Sequence, residues 1–139
     1  MGHKHFNKIL TDVDGVLLNW EDAFTSWMAK RDYKPKVENQ YSQNIRYDIS
    51  KEESDALVTM FNDSAWMGWL RPLRDAVITL PKFKEAGYEF ECITSLSDDY
   101  YSAKLRQHNL HDHFQNNIGK CICLEQGGDK DEILKEYEP

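Results

Sequence analysis

Residues 7–18 run Asn-Lys-Ile-Leu-Thr-Asp-Val-Asp-Gly-Val-Leu-Leu, an apolar strand breaking into an acidic turn. Ile9, Leu10 and Val13 supply the strand, and Gly15 permits the sharp reversal that follows. Downstream, Asn19 is placed to cap a helix whose Trp20, Ala23, Phe24, Trp27 and Met28 recur at one helical face. Between Arg31 and Ser50 the pattern fades into a polar connection dotted with tyrosines. Ser50 and Glu53 then fit a capping box ahead of Leu57, Val58, Met60 and Phe61. All four tryptophans fall between residues 20 and 69.

From Pro72 the rhythm changes. Leu73, Ala76, Val77 and Leu80 are helical in period, Pro81 is expected to kink or split that helix, and Gly87 suits its C-terminal end. Residues 88–94 alternate and then turn apolar, which predicts a second strand. Ser97 is placed to cap a helix over roughly 98–108, and 120–124 reads as a third strand. Asp129 with Glu132 forms a further capping box opening a last helix. Strands alternating with helices predict an α/β fold with a Rossmann-like parallel sheet. The sheet and its helices would be built from 1–18 and 72–139, with a small helical insert over 19–71. In such sheets the ligand crevice lies at the carboxyl ends of the strands, where Asp12 and Asp14 fall.

Composition narrows the function classes. The 139 residues suit one domain, and apolar residues at 40% with charged residues at 29% describe an ordinary globular chain. The formal charge of -7 argues against a general binder of nucleic acid polymers. No apolar run reaches the roughly 20 residues that cross a bilayer, so no membrane association is expected. Three cysteines, Cys92, Cys121 and Cys123, are too few and too odd in number for a disulfide framework. The expected compartment is cytoplasmic.

Two carboxylates two residues apart at a strand end need a compensating cation, and Mg²⁺ with a phosphate ester is the usual solution. Asp12-Val13-Asp14-Gly15-Val16-Leu17 resembles the first motif of the haloacid dehalogenase-like (HAD-like) phosphohydrolases. Cys92-Ile93-Thr94-Ser95 resembles their second motif, and Lys130 after Gly127-Gly128-Asp129 is similar in placement to their third-motif lysine. The helix before the second strand, from Leu73-Arg74-Asp75-Ala76 to Gly87-Tyr88, fits the same order. The look is nearest to the 5′(3′)-deoxyribonucleotidase branch.

The resemblance implies a Mg²⁺-dependent hydrolase of a small phosphomonoester, for example a nucleoside monophosphate. Asp12 would attack phosphorus and carry an aspartyl-phosphate. Asp14 would protonate the leaving alcohol and then activate water. Thr94 and Ser95 would hold the phosphoryl oxygens, and Lys130 would supply positive charge. Mg²⁺ would sit on the Asp12 carboxylate and the Asp14 main-chain carbonyl. The insert would act as a cap in which Trp66 and Trp69 touch the substrate, while Trp20, Phe24 and Trp27 belong to the core.

The family's fourth motif, an acidic pair after a further strand, has no match before Pro139. The core is therefore expected to be incomplete at its C-terminal side, as a truncated product or one completed by a separate fragment. The first strand would then expose an edge open to self-association. An alternative reading is a truncated or non-catalytic HAD-like protein that binds a phosphorylated ligand or a partner chain. A phosphotransferase on the same core remains open. Zinc is set aside for His108, His111 and His113 with Cys121 and Cys123, because Cys-x-Cys is not a usual zinc spacing.

Overall fold

The computed structural model describes residues 7–95, 99–124 and 131–135. Strand β1 (Lys8–Thr11) is followed by α1 (Trp20–Ala29), α2 (Gln43–Tyr47) and α3 (Lys51–Asn62). A 3-10 turn at Ala65–Gly68 leads to α4 (Arg74–Glu85), β2 (Glu89–Ser95), α5 (Tyr100–Phe114), β3 (Ile118–Leu124) and α6 (Asp131–Lys135). The three strands form one sheet in the order β1-β2-β3, and both pairings are parallel. The chain is thus mixed α/β with a small parallel sheet, as the alternating pattern predicts.

Lateral register decides which side chains share a face. Ile9 pairs with Phe90 and Phe90 with Ile118, and in the next row Thr11 pairs with Cys92 and Cys92 with Cys121. Paired residues of parallel strands point the same way. This face joins the core formed with Ala76 and Leu80 of α4 and Leu110 and Phe114 of α5. The opposite face carries Leu10, Glu91, Ile93 and Ile122. There Glu91 is buried on the central strand and meets Lys8 Nζ at 3.5 Å.

Strand β1 is shorter than the apolar run implies. Val13, Leu17 and Leu18 are fully buried, but they lie in a folded turn in which Val13 O accepts from the N–H groups of Val16, Leu17 and Leu18. Gly15 takes φ +79°, the left-handed value the turn requires. The chain leaves this turn and returns from the insert side by side: Asn19 N donates to Arg71 O and Leu73 N to Leu17 O, both at 2.8 Å.

Helix α1 begins where Asn19 predicts, its side chain accepting from Asp22 N at 3.2 Å. Ser50 caps α3 through Glu53 N at 3.1 Å. The reciprocal half of that capping box is replaced, since Glu53 Oε1 accepts from Tyr33 Oη at 2.7 Å. Phe61 is buried on the α3 stripe, whereas Met60 is exposed and drops out of it.

Three expectations are corrected. Helix α4 runs unbroken through Pro81, which sits inside it rather than dividing it. Helix α5 starts at Tyr100 and continues to Phe114, capped by Asp99, whose side chain accepts from Ser102 N at 3.0 Å. Ser97 lies outside the described residues, as do Asp129 and Lys130. The polar connection after Arg31 contains a short helix, α2, whose Tyr47 is buried in the core and packs edge-on against Phe24.

The insert is no loosely attached flap. Phe24, Trp27, Met28, Tyr47, Phe61, Met67 and Leu70 belong to the same continuous core as the sheet and α5. Gly68 approaches α5 so closely that a Cβ there would stand 2.9 Å from Leu105 Cδ2. Leu70 O accepts twice from α5, from Asn109 Nδ2 at 3.0 Å and from His113 Nε2 at 2.8 Å.

Candidate functional site

The acidic turn sits at the carboxyl end of β1. Thr11 is level with Cys92, so Asp12 leaves the strand level with Ile93, one residue before Thr94 on the neighbouring strand. Asp12 is exposed, Thr94 is buried at 3% exposure, and Ser95 closes β2 half-buried. Register therefore brings Asp12, Thr94 and Ser95 to one end of the sheet, and Asp14 follows in the turn after β1.

Asp14 has a partner that sequence reading missed. Arg106 of α5 grips its carboxylate with both arms, Nη1 to Oδ1 at 2.7 Å and Nη2 to Oδ2 at 2.9 Å. The Arg106 side chain is fully buried, and that of Asp14 is 30% exposed. A two-point guanidinium–carboxylate contact is among the strongest charge-assisted pairs. Among the described residues Arg106 Nε has no hydrogen-bond partner, and the carboxylate paired with the guanidinium is that of Asp14.

Beside Arg106 lie the thiols of Cys121 and Cys123. Cys92 pairs laterally with Cys121, and Thr94 with Cys123. The Cys121 thiol is pushed up to about 12: its hydrogen bond with Cys123 pulls it down, but the bond with Cys92 and burial outweigh that. Cys123 is raised by its hydrogen bond with Cys121 and then by burial, while the Arg106 charge lowers both. The raised thiols of Cys121 and Cys123 are poor nucleophiles at neutral pH.

A stability consequence follows. Cys121 is raised above its ordinary value of 9.0, so its contribution is fully present below about pH 9 and declines as pH rises toward its folded value. A Cys121→Ala, Cys123→Ala variant should therefore lose stability less steeply between about pH 8 and pH 10.5 than the parent. Parallel urea midpoints across that range would contradict this.

Trp66 and Trp69 occupy a different place. With Trp27, Lys30, Asn19 and Arg71 they line a cleft of about 520 Å³ between α1 and the segment after α3. Their exposures, 53% and 73%, contrast with 4% for Trp27 and 0% for Phe24. The Lys30 ammonium stands 4.6 Å from the Trp66 ring centroid, within cation–π range. Asp12, Asp14, Thr94 and Ser95 do not line this cleft, whereas Asn19, the cap of α1, does.

Among the described residues, no group of three or more His, Cys, Asp or Glu side chains is arranged to hold a metal. His108 pairs with Asp112 at 3.3 Å on the surface, and His113 is engaged with Leu70 O. No described helix is long and apolar enough to cross a membrane.

No family model matches the chain. It is similar to an uncharacterized 32.4 kDa protein in the Gp30-rIII intergenic region of Enterobacteria phage T4, at 27% identity over 135 residues. The match covers 92% of this chain and 48% of that protein, so the chain spans about half the length of the curated relative it matches.

Proposed function

We propose that the chain is a HAD-like phosphohydrolase that cleaves a small phosphomonoester, nucleoside monophosphates included, through an aspartyl-phosphate on Asp12. The observation carrying this reading is the register that sets exposed Asp12 one residue before Thr94 at the carboxyl end of a parallel sheet. Asp12 would form the bond to phosphorus, and Asp14 would hand a proton to the departing oxygen. Thr94 and Ser95 would donate hydrogen bonds to the phosphoryl oxygens, and Lys130 would add positive charge.

The donor set suits Mg²⁺, a hard cation that keeps several waters and takes one or two protein oxygens. Asp12 offers an exposed carboxylate. Among the described residues no backbone N–H donates to Asp14 O, whereas Val13 O next to it accepts three. Asp12 and the Asp14 carbonyl would hold the ion, which would supply charge neutralisation at the phosphoryl group.

The tryptophan cleft supports a planar leaving group. Its volume lies within the few hundred to about 1,000 Å³ common for small-molecule sites, and it offers two exposed indoles beside Lys30 and Arg71. Trp69→Ala should raise KM for a nucleoside monophosphate about 3- to 10-fold and leave kcat within about 2-fold, the loss of one aromatic contact. An unchanged KM would remove Trp69 from the substrate site.

A second reading, a non-catalytic binder of a phosphorylated ligand or partner chain, is favoured by one observation. Both oxygens of Asp14 are already engaged by Arg106. Phosphate release from nucleoside and sugar monophosphates, with and without Mg²⁺, separates the two. Mg²⁺-dependent release supports the hydrolase, and none from a folded chain supports the binder. A preference for transfer to an added alcohol over water would mark a phosphotransferase.

A further inference from the structure

We infer that the substrate carries a second phosphate, as a nucleoside 3′,5′-bisphosphate does, and that Arg71 holds the phosphate that is not cleaved. The inference deepens the phosphohydrolase reading and rests on it for the place of the cleaved phosphate. Backbone pairing sets the position of Arg71. Leu18 bridges to Asp14 on one side and to Pro72 on the other, so the acidic turn and the end of the insert run side by side. One residue along, Asn19 N donates to Arg71 O at 2.8 Å, and both residues line the tryptophan cleft. Two lateral steps of ~4.8 Å each put the Arg71 backbone roughly 10 Å from the acidic turn. One small ligand spans that separation.

The cleft has two ends. From Asn19, the cap of α1, it follows the helix to Lys30 at the other cap, a rise of roughly 16 Å. At the far end the Lys30 ammonium lies over the Trp66 ring, and exposed Trp69 falls between Trp66 and Arg71 in the chain. The order from the acidic turn is thus guanidinium, indoles, ammonium. A nucleoside bisphosphate matches it, with both phosphates on the sugar at the near end and the base on the indoles.

Charge favours an anion at the near end. The chain has a formal charge of -7, yet the charged side chains lining the cleft are Lys30, Arg71 and Asp22. The Asp22 carboxylate already accepts from Asn19 Nδ2 at 2.8 Å, and Lys30 is engaged by the Trp66 ring. Among the described residues no hydrogen bond or ion pair occupies the exposed Arg71 guanidinium. A free guanidinium recognises a phosphate through a two-point contact that a lysine cannot make. Asp12, Thr94 and Ser95 do not line the cleft, so the phosphate on Arg71 is not the one under attack. In turnover one ester P–O bond gives way to water, inorganic phosphate leaves, and the nucleoside keeps its second phosphate.

The test compares adenosine 3′,5′-bisphosphate with the 3′- and 5′-monophosphates on the full chain. Binding is read by calorimetry in Mg²⁺ on chains that also carry Asp12→Asn, and turnover by phosphate release from chains that do not. The bisphosphate is expected to bind about 10- to 100-fold more tightly than either monophosphate. Arg71→Gln should abolish that preference while leaving monophosphate binding within about 2-fold, with Arg71→Lys between. In turnover the same loss should appear in KM for the bisphosphate, with kcat within about 2-fold. Arg74→Gln, which removes an exposed cation outside the cleft, should change none of the three. No preference for the bisphosphate, or equal weakening of all three ligands by Arg71→Gln, overturns the inference; phosphate release from the monophosphates then keeps the hydrolase reading. An Arg71-dependent preference without phosphate release from any of the three by wild-type chain overturns the hydrolase reading and sustains Arg71 as the phosphate-holding residue.

Discussion

Asp14→Ala is expected to lower the unfolding free energy by about 3–5 kcal/mol, the cost of leaving a buried charge without its partner. Arg106 is fully buried, and its described polar contacts are the two to Asp14. Removing the carboxylate strands the guanidinium beside Cys121, Cys123 and the core of α5. The double variant Asp14→Ala, Arg106→Met should recover much of that loss, because it takes away the stranded charge as well. Chemical denaturation of the four chains closes the cycle. Equal stability of Asp14→Ala and wild type would show that the pair contributes little. For any assay of Asp14 variants, the consequence is direct: a drop in activity has to be read against the folded fraction.

Asp12→Asn should act the other way round, on turnover and not on the fold. Asp12 is exposed, so its substitution is expected to shift stability by less than about 0.5 kcal/mol. An amide is a poor nucleophile toward phosphorus, and removing a covalent nucleophile typically costs about 10⁴-fold or more in kcat. Phosphate release by Asp12→Asn at wild-type rate would rule out attack by this side chain. The two aspartates, two residues apart, thus divide in their expected consequences: Asp12 is exposed and proposed to attack phosphorus, whereas Asp14 pairs with a buried arginine.

How far the sequence could be read depended on how local each signal was. The Asn19 cap, the α1 stripe and the Gly15 turn are set by neighbours within a few residues, and all three lie where the pattern put them. The burial split between Phe24 and Trp27 on one side and Trp66 and Trp69 on the other followed from regular against irregular spacing. Val13 misled, because an apolar side chain buried in a turn looks like a continuing strand. Helix α5 was under-read for a related reason. Its buried residues are Ser102, Arg106, Asn109, Leu110 and Phe114, so the apolar stripe is confined to the last turns although the face is buried throughout. Arg106 itself gave no sequence signal, since the carboxylate that compensates it comes from the opposite end of the chain. The cleft that gathers Trp66, Trp69, Lys30 and Arg71 depends on the angle between α1 and the segment after α3, which no local pattern encodes.

The stereochemical course at phosphorus tests the proposed mechanism most directly. A phosphorothioate monoester made chiral with oxygen isotopes is turned over in isotopically labelled water in the presence of Mg²⁺, and the configuration of the inorganic thiophosphate released is read. Attack by Asp12 followed by attack of the acceptor on the aspartyl-phosphate comprises two in-line displacements, so the account predicts net retention. Net inversion, the mark of a single direct displacement, would contradict it.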